Sequence, residues 1–291
     1  MQVVLHTGAH ETDEDRLLKC LLKNKAAFSK IGVSVPGPSR YRNLIRDSMQ
    51  ALTENPPSEG AREILLDAIL DEDTPERLIM SNEHFFGIPS MALKRGRLYP
   101  AAERKLTEFC QLFPEDDVEI FMAVRNPATF VPAIFEVSRS TDFEEFVAEN
   151  DPLNLRWSEM FHRIRIAMPD IPITVWCNED TPLIWGQLVR DISGIFPNQK
   201  IIGGFDLLYE IMSKEGMRRF RAYLASHPTM TEVQKRRVIA AFLDKFAIED
   251  EIEQELDLPG WTEGLMDQLS DIYDEDMFEL QRIPGVTFLT P

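Results

Sequence analysis

The chain opens on a short apolar run, Gln2–His6 (QVVLH), that breaks into Thr7-Gly8-Ala9 and reads as a buried strand entering a turn. Leu17, Leu18, Leu21, Leu22 and Phe28 then recur at helical spacing, which predicts a helix from about 13 to 30, stopped by Gly32. Short apolar runs return at 31–35, 77–81, 118–124 and 173–177. Between them, helical spacing predicts helices at about 42–53, 59–70, 101–112, 128–137, 143–148 and 153–167, with Asn55-Pro56-Pro57 separating the first two. Strands this short and apolar, alternating with helices, predict a three-layer α/β sandwich. Its mainly parallel sheet of about five strands is covered on both faces.

After Thr181-Pro182, expected to be an N-cap followed by proline at the first helical position, the strand pattern stops. Residues 207–225, 232–246 and 264–281 read as helices, and 283–288 as a final edge strand. Two acidic runs, 249–257 and 271–279, are expected to be solvated helix faces. The basic clusters Arg218-Arg219-Phe220-Arg221 and Lys235-Arg236-Arg237 are expected on helix surfaces, as partners of those runs.

Composition narrows the function classes. The 291 residues carry 31 Lys+Arg against 49 Asp+Glu, a formal charge of −18, with 44% hydrophobic residues. That hydrophobic fraction excludes disorder. The charge argues against nucleic acid as a main partner and against an anionic membrane surface, since both require basic residues in excess. No stretch approaches the roughly 20 apolar residues of a spanning helix. The first residues lack the basic and apolar regions of a signal peptide. Cys20, Cys110 and Cys177 are few, odd in number and far apart, which predicts small half-buried hydrophobes in a reducing cytoplasm.

In an open parallel sheet, ligands sit beyond the carboxyl ends of the strands. Three such ends carry polar clusters, at 6–15, 81–84 and 125–129. The first, Leu5-His6-Thr7-Gly8-Ala9-His10-Glu11-Thr12-Asp13-Glu14-Asp15, is a strand, a glycine turn and a helix start, the architecture of a phosphate-binding loop. It resembles the opening of bacterial sulfotransferase-like proteins, whose loop runs roughly H-I-G-x-x-K-T-G-T-T-S and holds the 5′-phosphosulfate end of PAPS. Ser81-Asn82-Glu83 looks like that family's S-x-E, and Val124-Arg125-Asn126-Pro127 resembles its 3′-phosphate motif. Tyr273-x-x-Asp276 with Ile283-Pro284-Gly285-Val286 is similar to its C-terminal signature. The resemblance implies one P-loop nucleoside-triphosphate-hydrolase-like domain over residues 1–291, with 205–291 as a mostly helical extension. It also implies PAPS or PAP as cofactor, with Gly8, Thr12, Arg125 and Thr129 as cofactor-binding candidates. Glu83, or His84 beside it, is the candidate general base toward an acceptor hydroxyl, and His10 is a further candidate.

The departures matter as much. Glu11 stands where the family has its phosphate-binding lysine, Asp13-Glu14-Asp15 where it has Gly-Thr-Thr, and Ala133 where it has a serine. Pro132 is expected to interrupt the helix carrying Ala133. A carboxylate about 4 Å from a phosphate charge costs roughly 1 kcal/mol in water and up to about 4 kcal/mol at an effective dielectric of 20. The acids also have a structural reading, with Thr12 as N-cap and Asp13, Glu14 and Asp15 in the first helical turn. A cation site made of Glu11, Asp13, Glu14 and Asp15 is disfavoured, because consecutive helical residues diverge. On this reading a carboxylate of the chain occupies the place where the family puts phosphate. Glu83 and His84 have a structural alternative as a polar strand end, and Arg125 as an internal ion pair with the loop acids.

Three functions remain open: a sulfotransferase-like protein with a degenerate, catalytically impaired loop; a working PAPS-dependent sulfotransferase; and an acidic protein-interaction module. The acceptor, small molecule or protein, is not legible in the sequence.

Overall fold

The computed structural model describes every residue except 54–55, 72–74, 198 and 253–257. In chain order the strands are β1 (Gln2–His6), β2 (Val33–Ser34), β3 (Arg77–Ser81), β4 (Leu93–Lys94), β5 (Arg97–Leu98), β6 (Asp117–Val124), β7 (Ile173–Cys177) and β8 (Val286–Leu289). Six of them form one sheet in the order β2-β3-β1-β6-β7-β8, all parallel, while β4 and β5 form a separate hairpin. The sixth strand, β8, is the edge strand expected at 283–288 beside the other five, and the hairpin has no counterpart in the sequence reading. Two-residue strands are too short to display an alternation.

Side chains in a strand alternate between faces. Val3 and Leu5 of β1, Leu78 and Met80 of β3, and Ile120 and Met122 of β6 enter one apolar cluster. Val4, Ile79, Phe121 and Ala123 enter the other. The first face is closed by helices including Pro38–Ala51, Ala102–Leu112 and Trp157–Ala167, the second by Arg16–Lys23 and Thr181–Ser193. Both faces being dry explains why these strands read as unbroken apolar runs. The three-layer α/β architecture is as the pattern predicts.

Several boundaries differ for local reasons. The first helix is Arg16–Lys23, followed by a separate helix Lys25–Ser29. The break falls at Asn24, whose amide donates to the Cys20 and Ile202 carbonyls and whose oxygen accepts from the Ile202 N–H. The helix expected at 207–225 divides into Asp206–Ile211 and Lys214–Ser226, the second capped by Ser213. Thr181 is not an N-cap: Asp180 holds that position, and the Thr181 hydroxyl accepts from the Trp176 indole.

Pro132 does not interrupt its helix, which runs Pro127–Val137. A proline removes the N–H that would bond the carbonyl four residues back, here Ala128. The buried Trp261 indole donates to that carbonyl at 3.0 Å instead, so the backbone loses no partner.

The C-terminal helix Glu263–Gln281 returns to pack on Pro127–Val137 and Trp157–Ala167. Of its acidic run, Asp271, Asp274, Glu275 and Glu279 are solvated, whereas Asp276 is buried and accepts from the Trp157 and Ser158 N–H groups and the Ser158 hydroxyl. It caps a neighbouring helix. The other acidic run extends into 253–257, and the Asn55 break also lies outside the described residues. Among the described residues, the basic clusters pair locally at three positions: Arg219 with Glu215, Lys235 with Glu232, and Arg236 donating to Gln187. Among the described residues the three cysteines are free, and no helix is long and apolar enough to cross a membrane.

Candidate functional site

In the sheet, β1 lies between β3 and β6, and the chain order reverses on either side of it. The crevice at such a switch point lies beyond the strand's carboxyl end. Residues 7–15 fill it. Strand β3 delivers Ser81 to His84 on one side, and β6 delivers Arg125 to Thr129 on the other.

The loop is a tight, bent structure rather than the first turn of a helix. Gly8, Glu11, Glu14 and Asp15 all have positive φ, at 59°, 57°, 49° and 60°. A Cβ on Gly8 would lie 3.3 Å from Glu83 Cβ and 3.7 Å from Thr12 Oγ1, so the close approach of loop to strand end requires glycine. Thr12 is not the N-cap: its hydroxyl donates to the Ala9 carbonyl at 2.6 Å, while Asp15 occupies the cap position without its side chain bonding the helix N–H groups. Asp13 performs the capping, its Oδ1 accepting from the Leu17 N–H at 2.9 Å. Asp13, Glu14 and Asp15 therefore precede the helix, because the left-handed Glu14 and Asp15 cannot propagate one.

Each acid has its own environment. Glu83 Oε2 accepts from the Glu14 N–H at 3.0 Å, so a carboxylate from β3's end is bound to an amide of the loop. Asp15 is held by the Arg42 guanidinium through both oxygens, and Arg42 also donates to the Ser81 carbonyl. Asp13 is 9% exposed, and its second oxygen is buried without a hydrogen-bond partner. Burial, reinforced by Glu83 and Asp15, pushes its carboxyl up to about 7. Burial, with Glu83 and Glu14 beside it, raises Glu11 also.

On the other side, Arg125 Nε donates to Thr129 Oγ1 at 3.0 Å and Nη1 to the Glu11 carbonyl at 2.6 Å. Burial pulls this guanidinium down from the usual arginine range, opposed by the charges of Glu179, Glu11 and Glu14. The Thr129 hydroxyl in turn donates to the Asn126 carbonyl. Glu179, from the turn after β7, accepts from the Asn126 N–H and the Tyr273 hydroxyl. Part of the Glu179 side chain faces solvent, but loss of water around its carboxyl raises it above the usual range.

His84 is exposed, with Nε2 3.7 Å from Glu83 Oε1 and its ring 5.0 Å from that of His10. His10 is buried: Nε2 donates to the Gly87 carbonyl at 2.9 Å, so Nδ1 accepts from the Tyr99 hydroxyl at 2.8 Å. Burial drives it down to about 4, and burial drives His6 to about 4 likewise. Neutral and enclosed, His10 serves the fold of the loop. Among the described residues, no group of His, Cys, Asp and Glu is placed to hold a metal ion.

The structure thus gathers all the candidates around one loop. Gly8 lies against Glu83 and Thr12, His84 lies beside Glu83, and Arg125, bonded to Thr129, holds the loop at Glu11. The sequence reading missed Arg42, Tyr41 and Glu179. Tyr41 both accepts from Ser81 N–H and donates to Ser81 O, at 3.0 and 2.7 Å. The available signal was positional. Arg42 falls near the start of the helix after β2, which reaches the same sheet edge as Ser81.

No protein-family model and no curated protein matches the chain. Among solved structures, it is similar to a sulfotransferase from Alicyclobacillus acidocaldarius, at 14% identity over 89% of this chain and 97% of that one, with a TM-score of 0.39. It is also similar to retinol dehydratase in a complex with retinol and PAP, at 12% identity over 100% and 83% of the two chains, with a TM-score of 0.29. At such scores neither likeness carries an argument about activity or ligand. The fold itself rests on the sheet order and its layers.

Proposed function

We propose that this is a sulfotransferase-like α/β protein whose donor loop no longer receives a phosphosulfate, a catalytically impaired member of that fold. The observation that carries the reading is the bond from the Glu14 N–H to the Glu83 carboxylate. The chain's own anion takes a loop amide that a nucleotide phosphate would need. Glu83 is thereby engaged in holding the loop rather than standing free as a general base.

The residues present do not fit PAPS. A phosphate-binding loop works by presenting unpaired N–H groups, a helix N-terminus and a cation to the anion. Here Glu11 stands in the place of the cation, with Glu83 and Glu14 beside it. The guanidiniums of Arg16, Arg42 and Arg125 are engaged with Glu210, Asp15 and the Glu11 carbonyl. A second phosphate charge entering this group meets repulsion of roughly 1–4 kcal/mol per carboxylate at about 4 Å. The rival reading, a working PAPS-dependent sulfotransferase, draws on Arg125 and Thr129, which remain joined beside the loop.

Calorimetric titration with 3′,5′-ADP (PAP) at low salt separates the two. We expect no measurable binding, and micromolar affinity would overturn the proposal in favour of the enzyme. Changing Glu11→Lys together with Glu83→Ala restores a cation and frees the Glu14 amide. It should bring PAP affinity into the measurable range, a gain of about tenfold or more.

A further inference from the structure

Beyond the loop, a groove of about 620 Å³ runs between the helices Pro38–Ala51 and Ala102–Leu112 and the segment from Asn82 to Met91. That volume is within the roughly 300–1,000 Å³ usual for small-molecule sites. Its composition is unlike the rest of the chain. Four cations, Arg42, Arg46, Arg104 and Lys105, line it, against one carboxylate, Glu108, in a protein of net charge −18. Three of the cations have carboxylate partners: Arg42 with Asp15, Arg46 with Asp47, and Arg104 with Glu108. Lys105 has none among the described residues. It is half-buried, and the contact of its ammonium is the Phe85 carbonyl at 3.5 Å.

The floor between these charges is apolar. Ile45, Met49 and Phe85 are buried there, while Ile88 and Met91 at the rim are 63% and 44% exposed. An ammonium outside any ion pair, with Glu108 the one lining carboxylate whose charge reaches it, beside an apolar trough is complementary to a molecule with one acidic head and a hydrocarbon body.

We propose that this groove binds an amphiphilic anion, a carboxylate or sulfate ester on an apolar chain. Its head pairs with Lys105, and its body lies along Ile45, Met49, Phe85 and Met91. The groove adjoins the loop through Arg42, His84 and Gly87, but Lys105 and the apolar floor make no contact with residues 7–15 in the hydrogen bonds and ion pairs of the described residues, and the inference holds whether or not the loop accepts a nucleotide. Burial lowers Lys105 from the usual lysine range, the cost that an anionic partner relieves.

The test is calorimetric titration of the whole chain with four probes below micelle-forming concentrations: decanoate, decyl sulfate, decanol and inorganic sulfate. Decanoate, decyl sulfate or both should bind at least about tenfold more tightly than decanol, and inorganic sulfate should not bind. The preferred head identifies the natural acid group. Lys105→Gln should lower affinity for the bound anion by about tenfold and leave decanol unchanged. Met91→Ser, at the exposed rim, should weaken the anion and decanol alike. Failure of both anions to bind, equal affinity for decanol, or an anion affinity indifferent to Lys105→Gln in a variant with an unaltered melting profile would each overturn the proposal.

Discussion

Asp13 offers a direct measure of what burying an acid costs the loop. Its carboxyl has an ordinary value of 3.8 and is raised to about 7 in the fold, chiefly by burial. Because the folded state holds this proton more tightly, the residue's contribution to stability is complete below pH 3.8. It is lost as pH rises through about 7. At about 1.4 kcal/mol for each factor of ten, the full loss is about 4 kcal/mol. Asp13→Asn keeps an oxygen to accept from the Leu17 N–H and removes the charge. The new amide sits where Oδ2 has no partner, an unsatisfied donor costing about 1–3 kcal/mol. The net effect at pH 8.5 is a stabilisation of about 1–3 kcal/mol, which reverses to a destabilisation of similar size near pH 4, where the wild-type carboxyl is protonated and only the cost of the unsatisfied donor remains. Urea unfolding of both proteins at the two pH values provides the comparison. The histidines and other carboxyls are common to both proteins and drop out of the difference. A variant less stable than the wild type at pH 8.5, or a difference that does not change with pH, refutes the argument that Asp13 is a buried acid under strain.

His6 and His10, lowered to about 4 by burial, act in the opposite direction, withdrawing stability as pH falls from 6.5 toward 4. Their ring-proton resonances should keep neutral positions down to about pH 5, and a midpoint near 6.5 for either would contradict their enclosure. At the proline-bearing helix, Trp261→Phe should cost about 2–4 kcal/mol, from lost packing and an orphaned Ala128 carbonyl. In a Pro132→Ala background, where residue 132 regains its N–H, thermal unfolding should show the same change to be about 1 kcal/mol less harmful.

The architecture was legible because strand and helix periodicities are local. Gln2–His6, Arg77–Ser81 and Ile173–Cys177 each announce themselves within a few residues, and their unbroken apolarity already says that both faces are covered. The candidate loop was legible too, from Gly8 and the polar residues that follow β1. The position of each acid was not. Glu83 reaches the Glu14 amide across 69 residues of sequence, and Arg42 reaches Asp15 across 27. Trp261 supports Ala128 across 133. Such pairings depend on which strands become neighbours in the sheet, and no window of sequence encodes that. Asp13, Glu14 and Asp15 read as a helix's first turn from their spacing alone. Only the meeting of β1, β3 and β6 made Asp13 a buried acid, Asp15 an arginine's partner and Glu14 the donor to Glu83.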